Sequence, residues 1–455
     1  MAAAPRSTVV IVLIGALVAT ACGFGASGSP TPGSPSVTPQ GSPPSGSPSA
    51  APATLLVWDQ EVRNAITPVL DQLNDEFEAA HPGVTIERQS KSFEDLKATV
   101  KLALQDANGP DVTQINQGRP DMGAAVQAGS LLALDDYAAR YGWDKRWGPA
   151  VNARNSFSDD GKQFGTGSLY GASLTGEIVG LFYNKEKLTA LGLQPPATFA
   201  EFEQQLAMIK GKGEVPIAFG NTGGDAIQIY GSILETLVDR AWLDDFIFGR
   251  GGRSFDTPET RLAAEKLLEF SEKGYFTRGY EGISYDDAWK LFAGGKGVYF
   301  WTGSWIGGDL VQTAGEKFGF LRTPPQQAGG SVLTIGGVGL PFAIRKTSTK
   351  ADLAAEYIDW VTGDRAMELL AKAGVLPSHG APGAEGTGAL QNEMAAAFAE
   401  ANSKDEVGHY IDWAGPTLYD AITAGLAKVL AKRQTSGDFV KAIDADYQAF
   451  LKTLE

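Results

Sequence analysis

Thr54-Leu55-Leu56-Val57-Trp58-Asp59-Gln60 opens the stretch of sequence that decides the fold, an apolar run of β type that ends in polar residues. The residues that follow alternate between apolar positions at helical spacing and short apolar runs: helix 66–80, strand 84–86, helix 93–104 and strand 111–115. This β-α-β-α-β order favours a mostly parallel sheet with covering helices. Such crossovers bring the carboxyl ends of the strands to one edge, where ligands normally bind.

Strand and helix signals continue along the rest of the chain, so the predicted fold class is α/β. The further predicted elements are strands at 178–183, 215–219, 298–300 and 336–344 and helices at 199–210, 227–238, 258–273, 350–361, 416–430 and 439–454. The globular part exceeds the size at which a single hydrophobic core stops growing. We therefore expect two lobes, the second of which begins near Ser168.

Composition excludes several classes of protein. The formal net charge is −15, and no basic stripe is present that would follow phosphates, which argues against a nucleic-acid partner. One cysteine rules out an intramolecular disulfide. Three histidines and that cysteine offer little for a metal site of the His/Cys type, and no cofactor or metal is predicted.

The first 21 residues have the layout of a secretory signal peptide. Arg6 gives a positive start, Val9 to Val18 form a short apolar core, and Ala19-Thr20-Ala21 supply small residues before a cleavage site. Cys22 follows directly and resembles the lipid-attachment cysteine of the bacterial lipobox, although that pattern prefers Leu where Ala19 stands. The alternative is an ordinary signal peptide followed by an incidental cysteine.

A segment rich in Gly, Ser and Pro follows, at residues 22–53, and repeats Gly-Ser-Pro four times. Such a composition cannot bury enough apolar surface to offset the entropy of ordering. We interpret it as a tether between a lipid at Cys22 and the folded part, which places the protein on the outer face of the cell membrane.

Motifs for catalysis are absent from the sequence. It contains no Gly-x-Ser-x-Gly, no phosphate-binding Gly-x-x-x-x-Gly-Lys-Ser/Thr and no His-Glu-x-x-His. Paired carboxylates for glycoside cleavage stay open, because sequence spacing does not fix their spacing in space.

Aromatic residues instead stand beside polar ones near the ends of predicted strands. They include Trp58 before Asp59, the run from Trp301 to Trp305, and Trp413 and Tyr419 near the last helices. A flat ring offers apolar area to the C–H face of a sugar, while carboxylates, amides and Arg bind its hydroxyls. The alternative for any single Trp is ordinary core packing.

Several motifs, in order along the chain, resemble those of the extracellular solute-binding proteins of ABC importers, the family that includes maltose-binding protein. They are Phe77 to Val84, Gly109-Pro110-Asp111-Val112, Gly129 to Leu132, Gly180 to Lys185, Leu193 to Phe199 and Gly297 to Trp305. The resemblance implies two hinged α/β lobes that close on a ligand. The lobe limits that we predict are 54–165 with 330–372 for the N-lobe and 166–329 with 373–455 for the C-lobe.

The resemblance also implies particular ligand contacts. Glu177 matches a sugar-binding carboxylate, Trp305 and Tyr419 match stacking aromatics, and Arg119 matches an arginine beside the cleft. The segment after Asp111 departs from the maltose binder, and Asn116 and Gln117 are our substitutes there. The full set of predicted ligand-binding residues is Trp58, Asp59, Gln60, Asn116, Gln117, Arg119, Glu177, Asp225, Trp301, Ser304, Trp305, Gly336, Gly337, Trp413 and Tyr419.

The resulting hypothesis is a non-catalytic, lipid-anchored, monomeric receptor. It would bind a sugar or small oligosaccharide between its lobes and deliver it to the permease subunits of an ABC transporter. Three alternatives stay open: a binder of another solute such as a polyol phosphate or a peptide, a secreted glycoside hydrolase, and a scaffold or adhesin that contacts a protein.

Overall fold

The computed structural model describes residues 52–380, 383, 386 and 388–454. The predicted signal peptide, Cys22 and the tether up to residue 51 lie outside these residues. No helix in the described part of the chain combines the length and the apolar character needed to cross a bilayer.

Most strands belong to two larger sheets. In chain order the strands are β1 (Ala53–Asp59), β2 (Val84–Ser90), β3 (Val112–Gln114), β4 (Ser156–Phe157), β5 (Ser168–Leu169), β6 (Ala172–Ser173), β7 (Gly176–Asn184), β8 (Ile217–Ala218), β9 (Tyr299–Gly303), β10 (Phe318–Arg322), β11 (Thr334–Val338), β12 (Pro341–Ile344) and β13 (Val407–Gly408). The first sheet has the order β2-β1-β3-β12-β6 and the second β13-β11-β7-β9-β8, with β10 also paired to β7.

Helices cover both sheets. They are α1 (Thr67–Ala80), α2 (Phe93–Ala103), α3 (Ala124–Gln127), α4 (Asp135–Tyr141), α5 (Trp143–Arg146), α6 (Pro149–Arg154), α7 (Lys185–Ala190), α8 (Phe199–Gly211), α9 (Ala226–Glu235), α10 (Arg240–Phe248), α11 (Pro258–Glu272), α12 (Tyr285–Ala293), α13 (Gly307–Ala314), α14 (Ala351–Val361), α15 (Asp364–Lys372), α16 (Ala389–Ser403), α17 (Leu418–Leu430) and α18 (Ser436–Leu451). Single turns of other helix types lie at Arg119–Gly123, Tyr280–Gly282, Ser304–Ile306 and Ile411–Ala414. The predicted α/β class with two lobes is confirmed.

The chain passes between the sheets at three places, which lie side by side. Thr175 joins β6 to β7, Gly339 joins β11 to β12, and Leu376 leads from α15 towards α16. Gly339 N donates to Thr175 O at 2.8 Å, and Gly176 N donates to Leu376 O at 2.8 Å. We call residues 53–173 and 340–375 the first lobe, and 176–338 with the described residues from 376 onward the second lobe.

These crossings fall later than the predicted lobe limits at 166 and 330, and the assignment of every residue to a lobe stays a prediction. The predicted single strand at 336–344 is wrong, because β11 and β12 lie in different sheets. Gly339 and Pro341, residues that interrupt strands, mark the point at which the chain leaves one sheet for the other.

Strand pairing is mixed, whereas the sequence predicts mostly parallel sheets. β1 pairs with β2 and β3 in parallel, but β12 is antiparallel to β3 and β6. In the second sheet β7 is antiparallel to β9, β10 and β11. The reason is that β7 and β12 each begin at a crossing, so they run away from the edge of the sheet that faces the opposite lobe. The neighbouring strands run towards that edge, which makes the pairing antiparallel.

Asp111 holds the start of β3 in place. Its Oδ2 accepts from Leu56 N at 3.1 Å and from Lys350 Nζ at 2.8 Å, and its Oδ1 accepts from Ser348 Oγ at 2.7 Å. Burial raises the pKa of this carboxyl, but the hydrogen bonds outweigh burial and hold the pKa below its usual value. One side chain therefore ties β1, β3 and the loop before α14 together.

We expect Asp111→Ala to lower the free energy of unfolding by about 1–3 kcal/mol, because it leaves a part-buried amide and a partly exposed ammonium group without their acceptor. Urea denaturation followed by circular dichroism measures the loss. Asp352→Ala is the matched control, since it breaks only exposed contacts, with Arg140 and with the Tyr137 hydroxyl, and should change stability little. Equal losses in the two variants would contradict the role given to Asp111.

Candidate functional site

A cavity of about 410 Å³ lies between the two lobes. The wall of the first lobe is formed by loops at the carboxyl ends of its parallel strands: Gln60 follows β1, Phe93 begins α2 after β2, and Asn116 follows β3. The sheet-edge position predicted from the β-α-β order is therefore where the cavity lies.

The wall of the second lobe is built in the same way. Asp225 follows β8, Trp305 follows β9, and Tyr410 and Trp413 follow β13, while Tyr419 comes from α17. Aromatic rings and carboxylates therefore converge on one space from several strand ends.

Trp305 is held in a fixed orientation. Its Nε1 donates to Tyr285 Oη at 2.5 Å, and Tyr285 Oη is hydrogen-bonded to Thr302 Oγ1 at 2.9 Å. The indole also lies directly on the backbone of Gly303, where an added Cβ would come within 1.9 Å of the ring. Only glycine at 303 lets the ring lie this close, so the indole is presented as a preformed flat surface.

Glu177 supplies a buried carboxyl at the start of β7. Tyr410 Oη donates to its Oε1 at 3.0 Å. Burial raises the pKa of Glu177 to about 7, against the opposing effects of the Tyr410 hydrogen bond and the nearby Arg154 guanidinium. Near neutral pH this group can therefore either accept or donate a hydrogen bond.

Tyr419 is covered on one face by a residue of the first lobe. Lys97 Nζ, from α2, lies 2.9 Å from the centre of the Tyr419 ring. Burial lowers the pKa of Lys97, although the carboxylates of Asp121, Asp412 and Asp420 oppose that effect. This cation–π contact joins the two lobes at the edge of the cavity.

The structure brings about half of the predicted ligand-binding residues to the cavity wall. These are Gln60, Asn116, Glu177, Asp225, Trp305, Trp413 and Tyr419. Trp305 and Tyr419 thus line the same space, as the sugar-binding hypothesis requires.

The predicted polar contacts Asp59, Gln117 and Arg119 lie outside the wall, and each is already engaged. Asp59 is buried and ion-paired with Arg88 Nε at 2.6 Å. Gln117 Nε2 donates to the backbone of the crossing, at Val338 O and Gly339 O. Arg119 donates to Lys162 O at 2.6 Å and to Phe248 O at 3.2 Å, and so joins the lobes instead of facing a ligand.

The predicted contacts Trp58, Trp301 and Ser304 also lie elsewhere. The Trp301 ring is buried and packs edge-on against Phe202, with ring centres 5.5 Å apart. Ser304 Oγ accepts from Ile178 N at 3.1 Å inside the sheet. Trp58 is half-buried beneath Lys91, whose Nζ lies 4.2 Å from its ring centre.

Gly336 and Gly337 surround a buried arginine instead of a ligand. Arg154 donates to Gly336 O and to Gly408 O. Gly337 has φ of +125°, and a Cβ there would lie 1.7 Å from Arg154 Nη1. Burial lowers the pKa of Arg154 to about 10. The glycine pair thus admits a guanidinium of the first lobe into the second sheet.

Sequence reasoning left a group of polar wall residues out of the predicted set. They are Glu61, Arg63, Glu94, Gln228, Tyr285, Asp286, Asp309, Tyr410 and Asp412. Two of these residues could have been found from their position in the sequence beside a predicted contact: Glu61 follows Gln60, and Asp412 precedes Trp413. The sequence carries no such signal for Asp309, because it lies within the first turn of α13 and only folding brings its carboxylate to Asn64 N, at 3.1 Å.

The arrangement can hold a flat, polar molecule by ring stacking and by hydrogen bonds from both lobes. Within the described residues, no three or more His, Cys, Asp or Glu side chains are grouped so as to hold a metal ion.

Solved structures show the same fold. A chitin oligosaccharide binding protein is 19% identical with a TM-score of 0.76, over 88% of this chain and 99% of that one. RafE in complex with raffinose is 20% identical with a TM-score of 0.67, over 87% of this chain and 99% of that one.

A curated relative and a protein family also match the sequence. The "Multiple sugar-binding protein" of Streptococcus mutans is 23% identical over 310 residues, which are 66% of this chain and 69% of the relative. The model of the family described as bacterial extracellular solute-binding protein matches residues 63–368, more than half of the chain. The resemblance drawn from the sequence motifs is therefore confirmed: the chain belongs to the bacterial extracellular solute-binding proteins.

Proposed function

We propose that this protein is the sugar receptor of an ABC importer, which binds a sugar or small oligosaccharide between its lobes without turning it over. The observation that carries the proposal is the cavity between the lobes, where Trp305 and Tyr419 line one space together with carboxylates and amides. Two similar proteins support the proposal: the curated relative is a multiple sugar-binding protein, and one solved structure is that of a chitin oligosaccharide binding protein.

The ligand would act by stabilising the closed arrangement of the lobes. Contacts from Gln60 and Asn116 of the first lobe and from Glu177 and Trp305 of the second can form together only when the lobes are close. A ligand that gains all of them binds the closed form better and shifts the population towards it. The adjacent crossings at Thr175, Gly339 and Leu376 would serve as the hinge.

A phosphorylated solute is less well matched to this cavity than a neutral or basic one. Arg63 is the only Arg or Lys among the described wall residues, whereas phosphate sites usually bring several such side chains together. Hydrolysis of candidate oligosaccharides by the purified protein would instead support the glycoside hydrolase alternative.

We further propose that the mature chain is a monomer held on the outer face of the cell membrane by a lipid on Cys22. The apolar segment before Cys22 and the Gly/Ser/Pro-rich tether after it support this proposal. The permease would take the sugar from the cleft of the tethered receptor.

We expect Trp305→Ala to weaken sugar binding 10- to 100-fold, about 1–3 kcal/mol, because a preformed stacking surface is lost. Isothermal titration calorimetry with maltose, raffinose and chitobiose measures the change, and Trp305→Phe should retain part of the affinity. Trp58→Ala is the matched control, since the Trp58 ring lies outside the cavity wall and its loss should change affinity less than twofold. Unchanged affinity in a folded Trp305→Ala variant would contradict a stacking role.

We expect Cys22→Ala to abolish lipid attachment, because the thiol is the proposed acceptor. Mass spectrometry of the N-terminal peptide and fractionation of the host membranes measure this change. The variant should leave the membrane fraction while keeping its affinity for sugar, since the cavity is built entirely from residues beyond the tether. An unmodified Cys22 in the wild-type protein would favour an ordinary signal peptide.

A further inference from the structure

The wall of the cavity carries a large excess of carboxyl groups. Seven of the described wall residues are acidic: Glu61, Glu94, Glu177, Asp225, Asp286, Asp309 and Asp412. Arg63 lies in the same wall, and Lys97 lies just beyond it over the Tyr419 ring. These two cations offset only part of the negative charge that would develop if the carboxyls ionised.

The acidic residues face one another across the cleft. Glu94 belongs to the first lobe and Asp225 to the second, and a Cβ placed at Gly223 would lie 3.6 Å from Asp225 Oδ2 and 3.8 Å from Glu94 Oε1. Burial, then the charges of Glu94 and Asp286, raise the pKa of Asp225 to about 7. Closing the lobes therefore brings like charges together at this point.

A second pair repeats the pattern deeper in the cleft. Glu61 of the first lobe and Glu177 of the second are both buried, and the charge of Glu61 adds to burial in raising the pKa of Glu177. Carboxyls of the two lobes therefore approach each other at two places in the cavity.

Two acceptor atoms in this wall have no hydrogen-bond partner among the described residues. They are Oδ2 of Asp309 and Oδ2 of Asp225, and the wall also holds one donor without a partner, Nε of Arg63. Asp309 is only 2% exposed, and its other oxygen accepts from Asn64 N. A buried carboxyl oxygen without a donor is costly, so the empty acceptors indicate that the ligand brings donors to them.

We propose that the sugar bound in this cavity carries a protonated amine, which lies between Glu94 of the first lobe and Asp225 and Asp286 of the second. The inference deepens the proposed function and rests on it. An ammonium group there turns the repulsion between the lobes into attraction, because each lobe then contacts the same positive charge.

Matched sugars that differ in one substituent test the proposal. Three series each present a hydroxyl, an acetamide or an amine on one skeleton. They are glucose, N-acetylglucosamine and glucosamine; the corresponding galactose sugars; and cellobiose, diacetylchitobiose and its deacetylated form. Calorimetry at pH 7 should show the amine form of the binding skeleton at least about tenfold tighter than its acetylated partner. The preference should shrink in 0.5 M NaCl, because salt screens the attraction.

The outcomes separate the two proposals. Equal or tighter binding of the hydroxyl or acetamide forms overturns the amine inference and leaves a sugar receptor. Tighter binding of a sugar phosphate overturns it as well. If the folded protein binds maltose or raffinose but no amine sugar of the panel, the inference fails and the sugar receptor stands. If it binds neither those sugars nor any sugar of the panel, the proposed function fails and the inference fails with it.

Substitution of single acidic residues tests where the amine of the sugar binds. Asp225→Asn should lower affinity for the amine sugar about tenfold and affinity for the matched neutral sugar less than threefold, because the amide keeps the shape and removes the charge. Asp136→Asn is the control, since Asp136 is an exposed acid of α4 outside the cavity wall and its loss should affect both sugars little. An equal loss for both sugars in Asp225→Asn would mean that Asp225 binds hydroxyls, and would overturn the placement of the amine.

Discussion

Three neighbouring crossings of the chain between two sheets are the constraint on which the rest of the structure depends. Thr175, Gly339 and Leu376 are tied together by backbone hydrogen bonds, so the two lobes share one narrow connection. Because each crossing enters or leaves a sheet at the edge where its parallel strands end, the strand ends of both lobes face the same gap. The mixed pairing of β7 and β12, the position of the cavity and the meeting of side chains from distant parts of the sequence all follow from this connection.

The motifs that reveal the family are mostly devices of the fold. Asp111 fastens β3 to its neighbours, Asn184 accepts from Lys187 N at the start of α7, and Thr198 accepts from Glu201 N at the start of α8. His81 lies on the Phe77 ring, 4.0 Å between centres, where α1 ends. Caps and turns of this kind are set by local chemistry, which is why sequence reasoning found the elements and the family without fixing the ligand.

The site was only partly predictable because side-chain direction depends on pairing and turns. Asp59 ends β1, as a ligand contact would, but the adjacent strand β2 places Arg88 beside it. Arg119 follows β3 by a few residues, yet Gly118 at φ +78° turns the chain and sends the guanidinium towards Phe248 O. By contrast Trp305 was predictable, since the glycine two positions before it leaves room for a ring at the end of a strand.

The ammonium group that lies over Tyr419 limits how the phenol ring can be used. Lys97 occupies one side of the ring, so a guest can lie only on the other, and the aromatic surface is a wall with a single usable side. An oligosaccharide therefore cannot place successive sugar units on both faces of the Tyr419 ring. Stacking on Tyr419 is therefore limited to the side of the ring that Lys97 leaves uncovered, which has room for one unit of a ligand and not for two.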